Sequence, residues 1–152
     1  MGVEPGSIER LIYETCLRLD LEDFAGYLDL CAAEFTYRIT TYSAEIRKDM
    51  IWLHHDREGM QALFENYYDH VRRLGSLHRH VAVYAIDRQD DGLFRVTSSF
   101  QVTHTDLEGQ SKMFAVGRYH DVVGESENGA RLHAREARLE TRELGSGSHL
   151  PI

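Results

Sequence analysis

The sequence has only two prolines and two cysteines among its 152 residues, and its longest apolar run covers six residues, 81–86. A run of that length is far shorter than the roughly 20 residues that cross a bilayer. Basic side chains are also scarce: 17 Lys and Arg stand against 25 Asp and Glu, which gives a net charge of −8. A surface of that sign repels phosphate backbones and anionic lipid. We therefore expect neither a nucleic acid nor a membrane as a partner.

The first residues lack the basic start and apolar stretch of a secretory signal, so we expect a cytoplasmic protein. Cys16 and Cys31 do not form a C-x-x-C motif, and each falls on the apolar side of a helical pattern. Because free cysteine is among the most buried residue types, core packing is favoured over a disulfide or redox pair. Two buried cysteines cannot bind a typical iron–sulfur centre. Glycine-rich phosphate loops, nucleophile elbows and the C-x-H…C-x-x-H pattern are also missing.

Hydrophobic periodicity changes near Gly75, from helical spacing to the two-residue alternation of strands. Ser7, with Glu9 in the first turn, and Asp56 are suited to cap helices, and Asp91-Gly92 suits a hairpin turn. Helices are predicted near residues 7–20, 23–32 and 57–74, a short strand at 35–41, and antiparallel strands at 77–87, 93–104, 112–123 and 130–143.

These elements predict one α+β domain over residues 1–152, in which amino-terminal helices pack on a strongly curved mixed or antiparallel sheet. Such a sheet curls around a helix and leaves a cone-shaped cavity with one mouth. Residues 1–6 and 145–152 are expected to be flexible or partner-contacting tails.

Histidine is abundant. His78 and His80 form an H-x-H pair, and residues two apart on a strand share one face. Such a pair can start a metal site if a third ligand is near; the alternative is a solvated strand start. His54 and His55 are adjacent, so their side chains diverge and chelation is not expected there. The other histidines are His70, His104, His120, His133 and His149.

His104 shares a predicted strand face with Val96, Ser98, Phe100 and Val102. If that face lines the cavity, the imidazole lies at its polar end and can move protons. The alternative is that His104 reaches solvent where the strand enters a turn. Tyr13 and Tyr119 can donate hydrogen bonds into such a pocket, or can be core residues.

The order of several short motifs resembles the NTF2-like (cystatin-like, SnoaL-like) superfamily. The motifs span nearly the whole chain: Leu-Asp-x-x-Asp-Phe at 19–24, Phe-Thr-Tyr-Arg-Ile at 35–39, Arg-His-Val at 79–81, Gly-Arg-Tyr-His-Asp at 117–121 and Ala-Arg-Glu-Ala-Arg-Leu at 134–139. Within the superfamily, residues 37–40, 46–53, 98–102 and 114–122 resemble the small (beta) subunit of Rieske-type ring-hydroxylating oxygenases. The segment at 50–56 is most similar to the methanesulfonate monooxygenase branch.

The resemblance implies a structural subunit without its own active site, metal or cofactor. The Rieske [2Fe-2S] cluster and mononuclear iron would then lie on a large (alpha) subunit, in a mixed hexamer with three copies of each chain. A homo-oligomer is possible when the partner is absent. Met50, Ile51, Trp52 and Leu53, in a segment predicted to be irregular, are candidate interface residues, since tryptophan often anchors interfaces. The alternative is that Trp52 folds back onto its own core.

The competing hypothesis is a stand-alone dehydratase, isomerase, cyclase or ligand-binding protein of the same fold. His80 and His104 would then be the acid–base residues, and Tyr13 or Tyr119 would donate a hydrogen bond. Steroid isomerases of this superfamily place a catalytic carboxylate near the end of the first strand. This chain has Ile39, Thr40 and Thr41 there, which counts against isomerase chemistry.

Overall fold

The structure is a computed structural model that describes residues 4–67, 74–142 and 151–152. Its elements, in chain order, are α1 (Pro5–Asp20), α2 (Phe24–Asp29), β1 (Cys31–Ser43), β2 (Lys48–Asp56), α3 (Arg57–Asn66), β3 (Ser76–Arg88), β4 (Phe94–Thr105), β5 (Ser111–Ser126) and β6 (Gly129–Leu139).

The six strands form one mixed sheet in the order β2-β1-β6-β5-β4-β3. β1 runs parallel to β6, and the other neighbouring strands are antiparallel. α1 contacts β3 and β6, while α3 contacts β1 and β2. The helices therefore cover the inner face of the sheet, and the predicted α+β class is confirmed.

α1 begins earlier than predicted because Pro5, whose ring fixes a helical φ, occupies its first turn. Glu4 is the N-cap, so the assignment of Ser7 as the cap was wrong, and Glu9 lies beyond the first turn. The predicted apolar stripe of α1 is confirmed, because all five of its residues are buried: Ile8, Leu11, Ile12, Cys16 and Leu19.

α2 and α3 both begin at an aspartate that accepts a hydrogen bond from a backbone N–H three residues later. In α2 the donor to Asp23 is Gly26, at 3.0 Å, and in α3 the donor to Asp56 is Gly59, at 2.8 Å. α2 ends at Asp29, so Cys31 begins β1 and is not helical. The described part of α3 ends at Asn66, and the rest of the predicted helix falls mostly on residues 68–73, outside the described residues.

β2 was not predicted as a strand. Its residues are largely exposed, and it is an edge strand with one neighbour, so it carries little of the apolar alternation that marks a half-buried strand. Trp52 interrupts the pairing with β1 as a bulge between Ile51 and Leu53. β1 is also longer than predicted, whereas the strands after Gly75 agree with their predicted positions, apart from β6, which ends at Leu139.

The structure describes only part of the predicted tails. Pro5 and Gly6 are in the first turn of α1, and Pro151 and Ile152 are buried. Residues 1–3 and 143–150 lie outside the described residues. Within the described part of the chain, none of the helices has the length and hydrophobicity needed to span a membrane.

Gly117 allows a close approach of β5 to β6. A Cβ at this buried position would meet the carbonyl oxygen of Arg138 well inside van der Waals contact, and that oxygen is backbone. We expect Gly117→Ala to lower the free energy of unfolding by about 1–3 kcal/mol, because the strands must move apart. Gly6→Ala is the control, since nothing lies within 4 Å of its Cβ position and alanine favours a helix. Equal urea midpoints for the two variants would contradict this account.

Candidate functional site

The sheet and the helices that cover its inner face enclose the core, which we call the interior of the cone. It contains a fully buried ion pair between two neighbouring strands. Arg135 of β6 donates to Asp121 of β5 through Nε, 2.8 Å from Oδ1, and through Nη2, 3.0 Å from Oδ2. Both side chains are 0% exposed. A bidentate pair has the geometry that lets two charges remain ionised without water.

An aromatic ring packs against the Arg135 guanidinium. Its carbon lies 4.0 Å from the centre of the Tyr119 ring, and that ring stacks on Phe100 at 4.3 Å. Burial lowers the pKa of Arg135, but the charge of Asp121 and its hydrogen bonds outweigh burial and hold this pKa well above its ordinary value. Burial also raises the pKa of the Tyr119 phenol well above its ordinary value, so the phenol stays protonated.

A second buried arginine fastens α1 to the sheet. Arg79 of β3 donates from Nη1 to Oδ1 of Asp20, at 2.7 Å, and its backbone N–H also points to the same carboxylate. The Arg79 side chain is 2% exposed. Because Asp20 is the last residue of α1, this pair fixes the end of the helix over the cone.

Pro151 and Ile152 lie in the same interior. The Arg79 Nη2 donates to the carbonyl of Pro151 at 2.9 Å. The Ile152 N–H donates to the Tyr37 hydroxyl at 2.8 Å, and the Tyr119 hydroxyl donates to the Ile152 carbonyl at 2.9 Å. The segment thus occupies space that a ligand of a pocket enzyme would need.

Several other polar atoms in the interior are buried without a hydrogen-bond partner among the described residues. They are Arg135 Nη1, Arg79 Nε, the Tyr27 hydroxyl and the Ser98 hydroxyl. The core of the cone is therefore more polar than its apolar sequence pattern indicates.

The structure does not bring the four candidate acid–base residues together. Only Tyr119 lies in the interior. His80 is exposed and pairs with exposed Gln101, whereas His104 continues the buried face of β4, so the two imidazoles lie on opposite faces of the sheet. His104 Nε2 is 2.7 Å from the Leu74 carbonyl, and the exposed Tyr13 hydroxyl accepts from the Val83 N–H at 3.4 Å.

The H-x-H pair lies on the exposed face of β3, with the His78 and His80 rings stacked at 4.6 Å. Among residues 4–67, 74–142 and 151–152, no group of three His, Cys, Asp or Glu side chains is arranged to hold a metal ion. His70 and His149 lie outside the described residues.

The cysteines do not fit an iron–sulfur cluster. Both thiols are free and buried, and the Cys31 thiol donates to the Tyr27 carbonyl at 3.4 Å. Burial raises the pKa of Cys16, and it raises that of Cys31 to about 12, so both remain protonated near neutral pH. A Rieske cluster needs two thiolates and two imidazoles, and the described residues provide no such set.

Sequence reasoning missed a polar groove of about 410 Å³ on the outer face of the sheet. Arg38 and Glu136 form an ion pair across it at 3.2 Å, and Glu136 also accepts from the Thr40 hydroxyl at 2.5 Å. All six strands contribute lining residues, which include Thr36, His54, Asp87, Arg95 and His120. The signal in the sequence consists of polar residues at outward-facing positions of separate strands. Which of these residues are neighbours in the groove depends on the register between the strands, and hydrophobic periodicity does not predict that register.

The candidate interface residues divide into two pairs. Met50 is 41% exposed and Ile51 is 58% exposed. Trp52 and Leu53 are partly buried and pack against the core. The exposed pair lies on the edge strand β2, whose outer side has no neighbouring strand among the described residues, and such a side can offer backbone groups to a partner.

Comparisons with known proteins identify similar sequences over nearly the whole chain. The family described as "Ring hydroxylating beta subunit" matches residues 72–146. The beta subunit of 2-aminobenzenesulfonate 2,3-dioxygenase from Alcaligenes sp. is 34% identical, over 96% of this chain and 97% of its own length. The beta subunit of the methanesulfonate monooxygenase hydroxylase from Methylosulfonomonas methylovora is 35% identical, over 96% of this chain and 86% of its own length.

A solved structure confirms the predicted NTF2-like fold. It is described as the beta subunit of an aromatic-ring-hydroxylating dioxygenase from Novosphingobium aromaticivorans, and it matches with a TM-score of 0.84 and 14% identity, over 97% of this chain and 95% of that chain. At that identity the likeness concerns the fold alone. The two curated relatives cover nearly the whole chain and nearly their own length. The chain belongs to the family of beta subunits of Rieske-type ring-hydroxylating oxygenases.

Proposed function

We propose that this chain is a non-catalytic subunit that supports assembly of an iron-bearing large (alpha) subunit. The observation that carries the proposal is the similarity, end to end, to beta subunits of two oxygenases. The interior supports it, because Pro151 and Ile152 fill part of the interior and the candidate acid–base residues lie apart.

The proposal assigns the redox chemistry to the partner. The Rieske [2Fe-2S] cluster and mononuclear iron belong to the large subunit, and the complex is a mixed hexamer with three copies of each chain. Residues 1–152 form one domain in this assembly, since the described helices all pack on a single sheet. A cytoplasmic location stays a prediction.

The two curated relatives suggest the substrate class. One is named for 2-aminobenzenesulfonate and the other for methanesulfonate. One substrate is aromatic and the other aliphatic, so the sulfonate group is what they share. We propose that the complex containing this chain oxidises an organic sulfonate, with the substrate bound by the large subunit.

Edge strand β2 is the proposed contact with the large subunit. Met50 and Ile51 expose apolar side chains there, and within the described part of the chain the strand has a neighbour on one side only. Trp52 and Leu53 belong to the same segment, but they support it from the core side. An exposed apolar edge is a hazard for a free chain and an advantage for a permanent subunit.

Co-expression with a Rieske-type large subunit from the same organism tests the assignment. We expect the two chains to co-purify, with iron and acid-labile sulfide in the complex and none in this chain purified alone. Consumption of a sulfonate is expected only from the complex supplied with its electron-transfer components. Turnover of a small molecule by the isolated chain would overturn the assignment and favour the stand-alone enzyme.

A further inference from the structure

We propose that the interior of the cone is a binding pocket for a short apolar peptide segment, and that its occupant is Pro151–Ile152 of the same chain. This inference is independent of the subunit role, because it concerns the inner face of the sheet and not the surfaces that meet a partner.

The recognition of this segment uses side chains from three strands that are not neighbours in the sheet. Tyr37 comes from β1, Arg79 from β3 and Tyr119 from β5. Each makes one hydrogen bond to the backbone of the segment, at 2.8, 2.9 and 2.9 Å respectively. Three convergent polar groups in an apolar interior are the arrangement expected of a ligand pocket.

The hydrogen bonds meet three backbone polar atoms of the segment. Proline has no N–H, so the segment presents the carbonyl of Pro151 and the N–H and carbonyl of Ile152. These three groups form hydrogen bonds with Arg79, Tyr37 and Tyr119, respectively. Because an unmet backbone group would be costly inside the cone, the pocket is matched to a prolyl residue followed by an apolar one.

The side chain of Ile152 provides the apolar part of the recognition. It is 2% exposed and belongs to the core cluster that contains the Tyr37, Phe100 and Tyr119 rings. Pro151 and Ile152 are in neither a helix nor a strand, so regular secondary structure does not hold them in place. The hydrogen bonds and apolar contacts with the pocket therefore hold the segment in place. The ligand class is a short peptide with a branched apolar side chain.

Hydrogen exchange on the unaltered full-length chain gives the first test. The Ile152 N–H is donated to the buried Tyr37 hydroxyl, so we expect its exchange to be slowed at least about a hundredfold relative to an unstructured peptide. An Ile152 amide that exchanges at the rate of an unstructured peptide would overturn the proposal. This measurement needs no variant.

A pair of substitutions gives the second test. Ile152→Gly keeps the three backbone hydrogen bonds and removes the buried side chain, so we expect the Tm to fall by about 5–15 °C. Ile46→Gly is the matched control, because Ile46 is an exposed residue in the β1–β2 turn. In a chain that ends at residue 150 and therefore lacks the segment, N-acetyl-prolyl-isoleucine at millimolar concentration should raise the Tm, and it should leave the Tm of the control and of the unaltered chain unchanged.

The addition of Tyr119→Phe locates the peptide. In the chain that ends at residue 150 it removes one hydrogen-bond donor to the peptide, and we expect the affinity for the peptide to fall about fivefold. An unchanged Tm in the Ile152→Gly chain, or a Tm increase with peptide that is equal in all chains, would refute the pocket. If Ile152→Gly does not fold, Ile152→Val takes its place with a smaller loss of Tm, and the exchange measurement still decides.

Discussion

Asp121→Leu is expected to lower the free energy of unfolding by about 3–5 kcal/mol, because it leaves the Arg135 guanidinium buried without its counter-charge. Both partners are fully buried, and no other carboxylate is paired with Arg135 among the described residues. Urea unfolding followed by circular dichroism and tryptophan fluorescence measures the loss. The chain has a single tryptophan, Trp52, so the fluorescence signal comes from one site.

Two further variants separate the cost of an unpaired charge from the net contribution of the pair. Asp121→Leu combined with Arg135→Met replaces both charges by apolar groups of similar size, and we expect it to recover most of the lost stability. Asp49→Leu is the surface control. It breaks an ion pair of the same 2.8 Å length to Arg138, but solvent reaches both partners, so the unfolding midpoint should change little. An Asp121→Leu chain as stable as this control would contradict the account.

Ile51→Asp is expected to weaken binding to the large subunit by about 2 kcal/mol, which is roughly thirtyfold in the dissociation constant. Ile51 is exposed on the edge strand, so the charge costs the free domain little and is buried only when the partner binds. The prediction rests on the proposed assembly. Titration of the large subunit, monitored by analytical ultracentrifugation or calorimetry, gives the affinity.

Leu107→Asp is the matched control for that experiment. Leu107 is also exposed, but it lies in the turn between β4 and β5, which are separated from β2 by β1 and β6 in the sheet. Trp52→Ala is expected to weaken the complex too, but it removes a side chain that packs against the core and therefore also lowers the Tm of the free domain. Equal affinities for the Ile51→Asp and Leu107→Asp chains would place the interface elsewhere.

Periodicity in the sequence was sufficient where an element buries one face. The stripe of α1 and the alternation of β4 both describe residues that are buried in the structure. Periodicity did not predict β2, because an edge strand with mostly exposed residues has no buried face and therefore no apolar alternation. Tyr119 was recognised as a candidate for the interior. The competing enzyme hypothesis needed His80 and His104 in one pocket, whereas they lie on opposite faces of the sheet.

The polar interior was beyond prediction for a different reason. Asp121 and Arg135 are separated by a turn and meet only through the register of β5 on β6. Arg79 and Asp20 are 59 residues apart, and Tyr37 and Ile152 are 115 residues apart. Local patterns predict which side of an element is buried. They do not predict which polar groups meet across the core.

The parallel pairing of β1 with β6 sets the order in which the chain can mature on a ribosome. Thr41 of β1 donates its hydroxyl to the carbonyl of Leu139 of β6, which is 98 residues later. At about 5–20 residues per second, synthesis of that interval takes on the order of 5–20 s. During this time β1 and β2 can form a hairpin, but β6, the second neighbour of β1, has not yet been made. The strands β3, β4 and β5 can already pair in sequence. The inner edge of β1 is thus the part of the nascent chain that most needs protection from other strands.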